Sequence, residues 1–179
     1  HYLIENIFDM QSRTVTSTMT TRENIVYLDR TFSRQEVMDT LSRDSHSKIV
    51  ICDNSLDKIL GYVESHTLLT MYLQNENVVL TDPKLLRKAL FVPDTLSLYE
   101  VLELFKSTGE DFAIIVNEYA LVVGIVTLND VMSIVMGELV SNEEEYIVSR
   151  DENSWLIDGA TPLEDVTRVL EIESVSYTH

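Results

Sequence analysis

The 179-residue sequence predicts a mixed α/β (α+β) fold of two β-α-β-β-α repeats packed as a pseudo-two-fold pair. Short apolar runs rich in β-branched residues alternate with helical patterns that begin at capping residues. The same order of elements occurs twice: residues 49–53 align with 113–117 at an offset of 113 − 49 = 64, and Gly61 aligns with Gly124 at 124 − 61 = 63. Each repeat is too small to bury its sheet alone, so we expect the two to pack together.

Composition narrows the class of protein. The hydrophobic content of 45% is enough for a core, whereas the net charge of -17 argues against binding to nucleic acid or to an anionic bilayer. Such a surface keeps a protein soluble or attracts a cationic partner. The single cysteine, Cys52, excludes an intrachain disulfide, and no apolar run reaches the ~18 residues of a membrane helix. The sequence therefore indicates a globular chain from a reducing compartment, with Cys52 as a small core residue.

The first repeat is predicted at residues 18–74, after an N-terminal helix and connector at 1–17. It begins with a short strand at 25–28, and a helix follows from Ser33, which has capping-box spacing to Glu36. The remaining predicted elements are a strand at 48–52, a turn at 53–57, a strand at 59–63 and a helix at 65–73.

A polar linker at residues 75–88 leads to the second repeat, which is predicted at 89–140. Its first strand, at 91–92, ends at a proline, and Ser97 with Glu100 forms a second capping box. The elements that follow are a strand at 112–116, a turn at 117–119, a strand at 121–126 and a helix from 127.

The last strand of this repeat ends in the segment that carries the most chemical information. Thr127 and Asp130 have the spacing of a third capping box, which alone is worth about 1 kcal/mol to stability. The same hydroxyl and carboxylate, together with the free N–H groups of a first helical turn, suit a ribose or a phosphate. Spacing therefore leaves both interpretations open.

Residues 141–179 differ in character and are predicted to begin a separate β-β-α domain that the sequence does not complete. Strands at 146–148 and 155–157 flank a turn, and Thr161 opens a helix. The acidic run at 143–145 indicates a solvated surface rather than a magnesium site, and the histidines lack metal-ligand spacing. No metal site is predicted. The abrupt apolar start and the uncapped end suggest a piece of a longer protein.

These motifs resemble a tandem pair of cystathionine-β-synthase (CBS) domains from the CorC/HlyC family of membrane-associated, hemolysin-like transport proteins. The similarity runs from Thr18 through FVPDT, DFAIIVNEY and GIVTLNDV to residues 136–138, and the tail resembles the start of that family's transporter-associated domain. The resemblance implies the soluble part of a membrane protein, on the cytoplasmic side of the inner or plasma membrane, whose N-terminal membrane domain is absent from this sequence. Members are implicated in magnesium and cobalt efflux.

The resemblance also implies an adenosine nucleotide, AMP or ATP, bound between the repeats, with magnesium as a candidate companion. In the family's Gly-h-h-Thr-x-x-Asp motif, where h is apolar, the threonine and aspartate bind ribose and phosphate; Gly124, Thr127 and Asp130 match it. In the first repeat Glu64 and Thr67 replace these two residues, so that half-site is not expected to bind in the same way. The other positions implied to contact the ligand are Thr20, Lys48, Ala113 and Ile114.

Catalysis is not predicted, because the sequence has no nucleophile elbow, no G-x-x-x-x-G-K loop and no Ser/His/Asp set. We therefore predict a protein that is not an enzyme. Three functions stay open. The first is a nucleotide-sensing module that forms a homodimer through its CBS pairs, and the second is a structural dimerisation module with an empty cleft. The third is flavin (FAD) binding by the tail, which rests on fold analogy with flavin-binding oxidases alone.

Overall fold

The computed structural model describes residues 10–44, 46–137 and 140. The predicted tail domain at 141–179, and the predicted N-terminal helix apart from Met10, therefore lie outside the described residues. The chain divides into two compact units. The described residues of one unit come from 1–19, 95–111 and 126–179, and the other unit consists of residues 20–94 and 112–125.

Both repeats have the predicted order of elements, which confirms the mixed α/β fold class. The strands are β1 (Thr20–Thr21), β2 (Tyr27–Asp29), β3 (Lys48–Asp53), β4 (Ser55–Glu64), β5 (Leu90–Pro93), β6 (Phe112–Val116) and β7 (Val122–Thr127). The helices are α1 (Arg34–Arg43), α2 (Ser65–Leu73), α3 (Leu98–Thr108) and α4, of which residues 128–137 are described without interruption. None of the helices in this part of the chain is long and apolar enough to cross a membrane.

The first repeat forms a three-stranded sheet in which β2 is parallel and β4 antiparallel to β3. The capping box predicted for α1 is present, since Ser33 Oγ accepts from the Glu36 N–H and the Glu36 carboxylate accepts from the Ser33 N–H, both at 3.2 Å. The turn predicted at 53–57 is tighter in the structure. Asn54 adopts a left-handed φ of 71°, which asparagine tolerates, so β4 begins directly afterwards.

The first strand of this repeat also begins later than predicted. The Ile25 N–H donates to the Arg22 carbonyl at 3.2 Å and closes a 3-10 turn at Arg22–Asn24. Strand pairing with β3 therefore starts only at Tyr27. The prediction of a strand at 25–28 is thus wrong at its start, because a local backbone hydrogen bond competes with the sheet there.

The second repeat contributes to a four-stranded sheet of order β1-β7-β6-β5, in which β5 is parallel to β6. Its capping box at α3 is also present, with Ser97 Oγ accepting from the Glu100 N–H and the Glu100 carboxylate accepting from the Ser97 N–H, both at 3.1 Å. Gly109 ends α3 at φ 74°, the left-handed conformation that favours glycine. Strand β1 was not predicted; it lies antiparallel to β7.

The core of the unit formed by residues 20–94 and 112–125 has two clusters that use opposite faces of β3. Ile49 and Ile51 pack in one cluster against side chains of the first repeat and of the linker that follows it. Val50, between them in sequence, points to the other face, as expected for a strand, and packs with Tyr62, Phe112 and three other buried residues. The second cluster therefore joins residues of both repeats, which confirms that their sheets pack together.

Cys52 is buried in this unit, as predicted for a core residue. Burial is the main cause that raises the pKa of its thiol to about 11, and the nearby Asp29 adds to the effect. The thiol therefore stays protonated at neutral pH and is a poor nucleophile.

An ion pair connects the start of the unit to β4 and β7. Arg22 donates through both terminal nitrogens to the Asp57 carboxylate, at 2.5 and 3.2 Å, and also to the Val122 carbonyl at 2.8 Å. The Val122 N–H in turn donates to Asp57 at 3.1 Å. The hydrogen bond from Arg22 is the main cause that lowers the pKa of Asp57.

In the other unit, the N-terminal connector is packed rather than free. The Val15 N–H donates to the Leu96 carbonyl at 2.8 Å, and the Leu98 N–H donates to the Arg13 carbonyl at 2.9 Å. Val15 is fully buried. The connector is thus part of the structure around the start of α3.

Candidate functional site

The first turn of α4 contains the capping box predicted from Thr127 and Asp130. The Thr127 N–H donates to Asp130 Oδ2 at 3.0 Å, and the Asp130 N–H donates to Thr127 Oγ1 at 3.1 Å. Both residues are half-buried. This arrangement satisfies two helix-terminal N–H groups and fixes both side chains.

Capping leaves part of each side chain available. Asp130 Oδ1 has no hydrogen-bond partner among the described residues, and the Thr127 hydroxyl accepts in the box, so its proton is still free to be donated. A carboxylate oxygen that accepts and a hydroxyl that donates are therefore held at one helix start. These are the groups that a ribose hydroxyl and a phosphate oxygen require.

Two hydrogen bonds to backbone carbonyls hold this helix start in place within its unit. The Leu128 N–H donates to the Asp111 carbonyl at 2.8 Å. Thr18 Oγ1 donates to the Asp130 carbonyl at 3.2 Å. Sequence reasoning did not single out Thr18 as a positioning residue, because its partner lies 112 residues away and no local pattern indicates the contact.

Thr20 and Gly124 lie close together in the other unit. Strand β1 pairs with β7 so that Thr20 lies opposite Ile125 and Thr21 lies opposite Gly124. Thr20 is half-buried, whereas Gly124 is buried. The pairing brings together two of the predicted ligand-binding residues, in the same unit.

Ala113 and Ile114 are fully buried in β6. Ile114 belongs to the core cluster that joins the two repeats. Both residues pair in register with β5, opposite Leu90 and Phe91. Their side chains serve the core, so only their backbone atoms are candidates for contact with a ligand.

Lys48 begins β3 and lies in register with Glu64 of β4. Its ammonium group lies 5.2 Å from the centroid of the Tyr62 ring, a cation-π contact. Of the seven predicted residues, Thr127 and Asp130 belong to one compact unit, and the unit of Lys48 contains the other five.

The corresponding end of the first repeat is built differently. Glu64 is the N-cap of α2 but makes no side-chain capping hydrogen bond, and its carboxylate lies 3.6 Å from Arg87 Nε. Tyr62 exchanges backbone hydrogen bonds with Arg87, both at 2.9 Å. This close approach needs Gly61, because a Cβ there would lie 2.2 Å from the Arg87 carbonyl oxygen.

The described residues contain no group of three or more His, Cys, Asp or Glu side chains that could hold a metal ion. The acidic run at 143–145 lies outside the described residues. His46 and His66 are exposed on the first repeat.

Comparison with known proteins gives three kinds of similarity. A family model described as CBS domain matches residues 84–137. The chain is 97% identical over 172 residues to a Haemophilus influenzae protein named Polyamine export protein, and the match covers 96% of this chain but 40% of that protein's length. The chain thus spans less than half of this relative.

The solved structures that are similar to the chain include the following two. The crystal structure of a CBS domain protein from Shewanella oneidensis MR-1 has a TM-score of 0.63 at 34% identity, covering 66% of this chain and 94% of that chain. The CBS domain of a bacterial CNNM/CorC family Mg2+ transporter in complex with ATP has a TM-score of 0.68 at 22% identity, covering 76% and 96%. At that identity the second likeness shows the fold alone.

Proposed function

The chain belongs to the CBS-domain family, and on that premise we propose that it is the nucleotide-sensing regulatory module of a polyamine export protein. The relative named for polyamine export is 97% identical over the matched residues, which supports a polyamine as the exported compound. The resemblance to the CorC/HlyC family had implied magnesium or cobalt instead. Because the chain covers 40% of that relative, export itself belongs to the longer protein.

The nucleotide part of the proposal rests on one observation: Asp130 caps α4 with one carboxylate oxygen and keeps the other without a partner among the described residues. That oxygen can accept a ribose hydroxyl, while the Thr127 hydroxyl donates to the ligand. The Gly-h-h-Thr-x-x-Asp motif at residues 124–130 supports an adenosine ligand, AMP or ATP. The other residues predicted to contact the nucleotide remain predictions: Gly124, Thr20, Lys48, Ala113 and Ile114.

The mechanism we propose is a population shift on the cytoplasmic side of the membrane. The nucleotide binds one arrangement of the regulatory module better than another, and its differential affinity limits the size of the effect. Magnesium enters this mechanism as the ion that accompanies ATP. Comparison of ATP titrations with and without magnesium would show whether ATP binds together with the ion or alone.

Calorimetric titration of the chain with AMP and ATP tests the nucleotide proposal. Asp130→Asn keeps an acceptor for the Thr127 N–H but removes the charge, and we expect it to weaken binding by about tenfold or more. Glu100→Gln is the matched control, since it makes the same change in the capping box of α3. No heat with either nucleotide at about 1 mM, with the chain folded, would contradict the proposal.

A test of which compound is exported requires the longer protein. We expect vesicles that contain it to release labelled spermidine faster than control vesicles, and Asp130→Asn to alter the response of that release to nucleotide. Release of magnesium without release of spermidine would favour the cargo that the CorC/HlyC resemblance implies.

The second candidate function is a homodimerisation module that binds no ligand. Exposed apolar side chains on α2 favour it, because Leu69 is 37% and Leu73 83% exposed. In that case light scattering would show a dimer, and the stability of this dimer would not change when AMP or ATP is added. Flavin binding by the tail falls on residues outside the described ones, and the visible absorbance spectrum of the longer protein would test it.

A further inference from the structure

A pocket of about 360 Å³ lies between the first repeat and the linker that follows it, and it contains none of the residues assigned to the nucleotide. The segment before α1, the first residue of α1, the end of α2 and residues 76–80 of the linker line it. Its volume falls in the range of small-molecule sites, about 300–1,000 Å³. All of its lining residues belong to one compact unit.

Tyr72 places an unsatisfied polar group in this pocket. The residue is only 7% exposed, yet its hydroxyl has no hydrogen-bond partner among the described residues. Burial is the main cause that raises the pKa of Tyr72, and Arg34 acts in the opposite direction. A buried hydroxyl normally has a hydrogen-bond partner, and an acceptor atom on a ligand in the pocket would supply one for Tyr72.

Two arginines supply positive charge to the same pocket. The Arg34 guanidinium lies over the Tyr72 ring, 5.4 Å from its centroid, and forms no ion pair with any residue in the described part of the chain. Arg30 donates its Nε to Asp53 at 2.8 Å, and its two terminal nitrogens have no partner among the described residues. Both guanidinium groups can therefore donate to a further anion.

The rest of the lining limits the kind of anion. Phe32, Val78, Val79 and Leu80 make part of the wall apolar, which favours an apolar or aromatic body on the ligand. Glu76 also lines the pocket, and its side chain makes no hydrogen bond or ion pair with the described residues. The Glu76 carboxylate therefore repels a bound anion, but no contact with the described residues holds it in one position.

We propose that this pocket binds a small organic anion, a carboxylate or phosphate carried on an apolar or aromatic body. The guanidinium groups of Arg30 and Arg34 hold the anionic group, the Tyr72 hydroxyl donates to it, and the body packs against the apolar wall. The site is separate from the nucleotide residues, so its test does not depend on nucleotide binding.

Phenyl phosphate is a suitable probe, with phenol and inorganic phosphate as its two halves. In NMR titrations of the chain to about 10 mM, we expect saturable shifts for phenyl phosphate and at least about tenfold weaker binding of either half. The shifts should lie at residues 30–34 and 72–80. No saturable shift there, or inorganic phosphate binding as tightly as the probe, would overturn the proposal.

Substitutions that remove a charge test which side chains bind the anion. Arg34→Gln should weaken the binding of phenyl phosphate by about tenfold or more. Arg43→Gln, the same change at the far end of α1, should alter that binding by less than about twofold. Glu76→Gln should tighten binding by about two- to threefold, a gain that misfolding cannot produce. Equal losses for the two arginine variants, or no gain for Glu76→Gln, would contradict the proposal.

Tyr72→Phe tests the hydroxyl itself. We expect the variant to bind phenyl phosphate about three- to fivefold more weakly, with no loss of thermal stability in the absence of ligand. A variant that loses stability without ligand would show that the hydroxyl already has a partner in the chain, and would overturn its assignment to the ligand.

Discussion

In the first repeat Tyr62 of β4 exchanges hydrogen bonds with Arg87, whereas in the second repeat the equivalent residue of β7, Ile125, pairs with Thr20. The equivalence follows the repeat offset, since 125 − 62 = 63 as for the two glycines. Each final strand thus pairs with a segment that lies just before the parallel strand of the other repeat, β2 or β5. Both repeats therefore have an antiparallel contact at this position, formed by an isolated bridge in the first repeat and by the two-residue strand β1 in the second.

The side chains that differ are those at the helix start after each final strand. Helix α4 begins with the Thr127–Asp130 capping box, whereas α2 begins with Glu64, which makes no side-chain cap. By contrast, α1 and α3 begin with the same Ser-x-x-Glu box in both repeats. A box present in both repeats serves the fold, and a box found at only one of two equivalent sites is the better candidate for a ligand. Four changes test this comparison.

The largest expected effect is at the shared backbone arrangement. Gly61→Ala would place a Cβ 2.2 Å from the Arg87 carbonyl oxygen, so we expect the free energy of unfolding to fall by about 3 kcal/mol or more. Gly137→Ala is the control, because a methyl group there would meet no other part of the described chain within 4 Å and alanine favours helix. Urea denaturation measures both, and similar stabilities would show that the approach of Arg87 does not require glycine.

The next effect concerns the Arg22–Asp57 ion pair, whose two side chains also hydrogen-bond to Val122 of the second repeat. Asp57→Asn removes the charge that Arg22 binds, and we expect a loss of about 1 kcal/mol at neutral pH after allowance for solvent screening. The folded pKa of Asp57 is below its unfolded value, so this stabilisation is present above the unfolded pKa and is lost as pH falls through the folded one. The stability of the variant should therefore depend less on pH in the acidic range. An identical pH dependence of unfolding in both proteins would contradict this.

An effect of similar size but opposite sign should come from introducing the missing capping box. Glu64→Thr combined with Thr67→Asp gives α2 the capping residues of α4, and we expect a gain of about 1 kcal/mol in the free energy of unfolding. Thermal and urea unfolding measure it. If stability does not rise, the start of α2 differs from that of α4 in more than its side chains.

The smallest effect should come from the Arg87–Glu64 ion pair. Its atoms are 3.6 Å apart and its side chains are 62% and 41% exposed, so Arg87→Gln should change the free energy of unfolding by less than about 0.5 kcal/mol. The backbone bridge to Tyr62 does not use the side chain and should persist. A loss larger than about 1 kcal/mol would show that the side chain, and not only the backbone, closes the first repeat.

What could be predicted from sequence was local. The three capping boxes at Ser33, Ser97 and Thr127 depend on residues three apart, and all three are present in the structure. Helix α2 has the predicted bounds. Strand β1 was missed because its two residues have no apolar pattern and pair with β7, about a hundred positions away in sequence. The pocket of Arg34 and Tyr72 was missed for the same reason, since it combines residues from separate elements.

The site itself was predictable only as a motif. The spacing of Thr127 and Asp130 indicated the box, but only the three-dimensional structure shows which oxygen the cap uses and which it leaves. The burial of Ile114 follows from packing between the repeats, and no local pattern distinguishes a core residue from one beside a ligand.

The exchange of segments between the repeats also affects how the chain folds. The pairing of Thr20 with Ile125 closes a loop of roughly one hundred residues, and such contacts are entropically costly to form and slow folding. A fragment that ends before Arg87 would leave the end of β4 without its partner and expose a strand edge. We therefore expect the two repeats to fold as one cooperative unit, with neither half reaching its native sheet until the other has been synthesised.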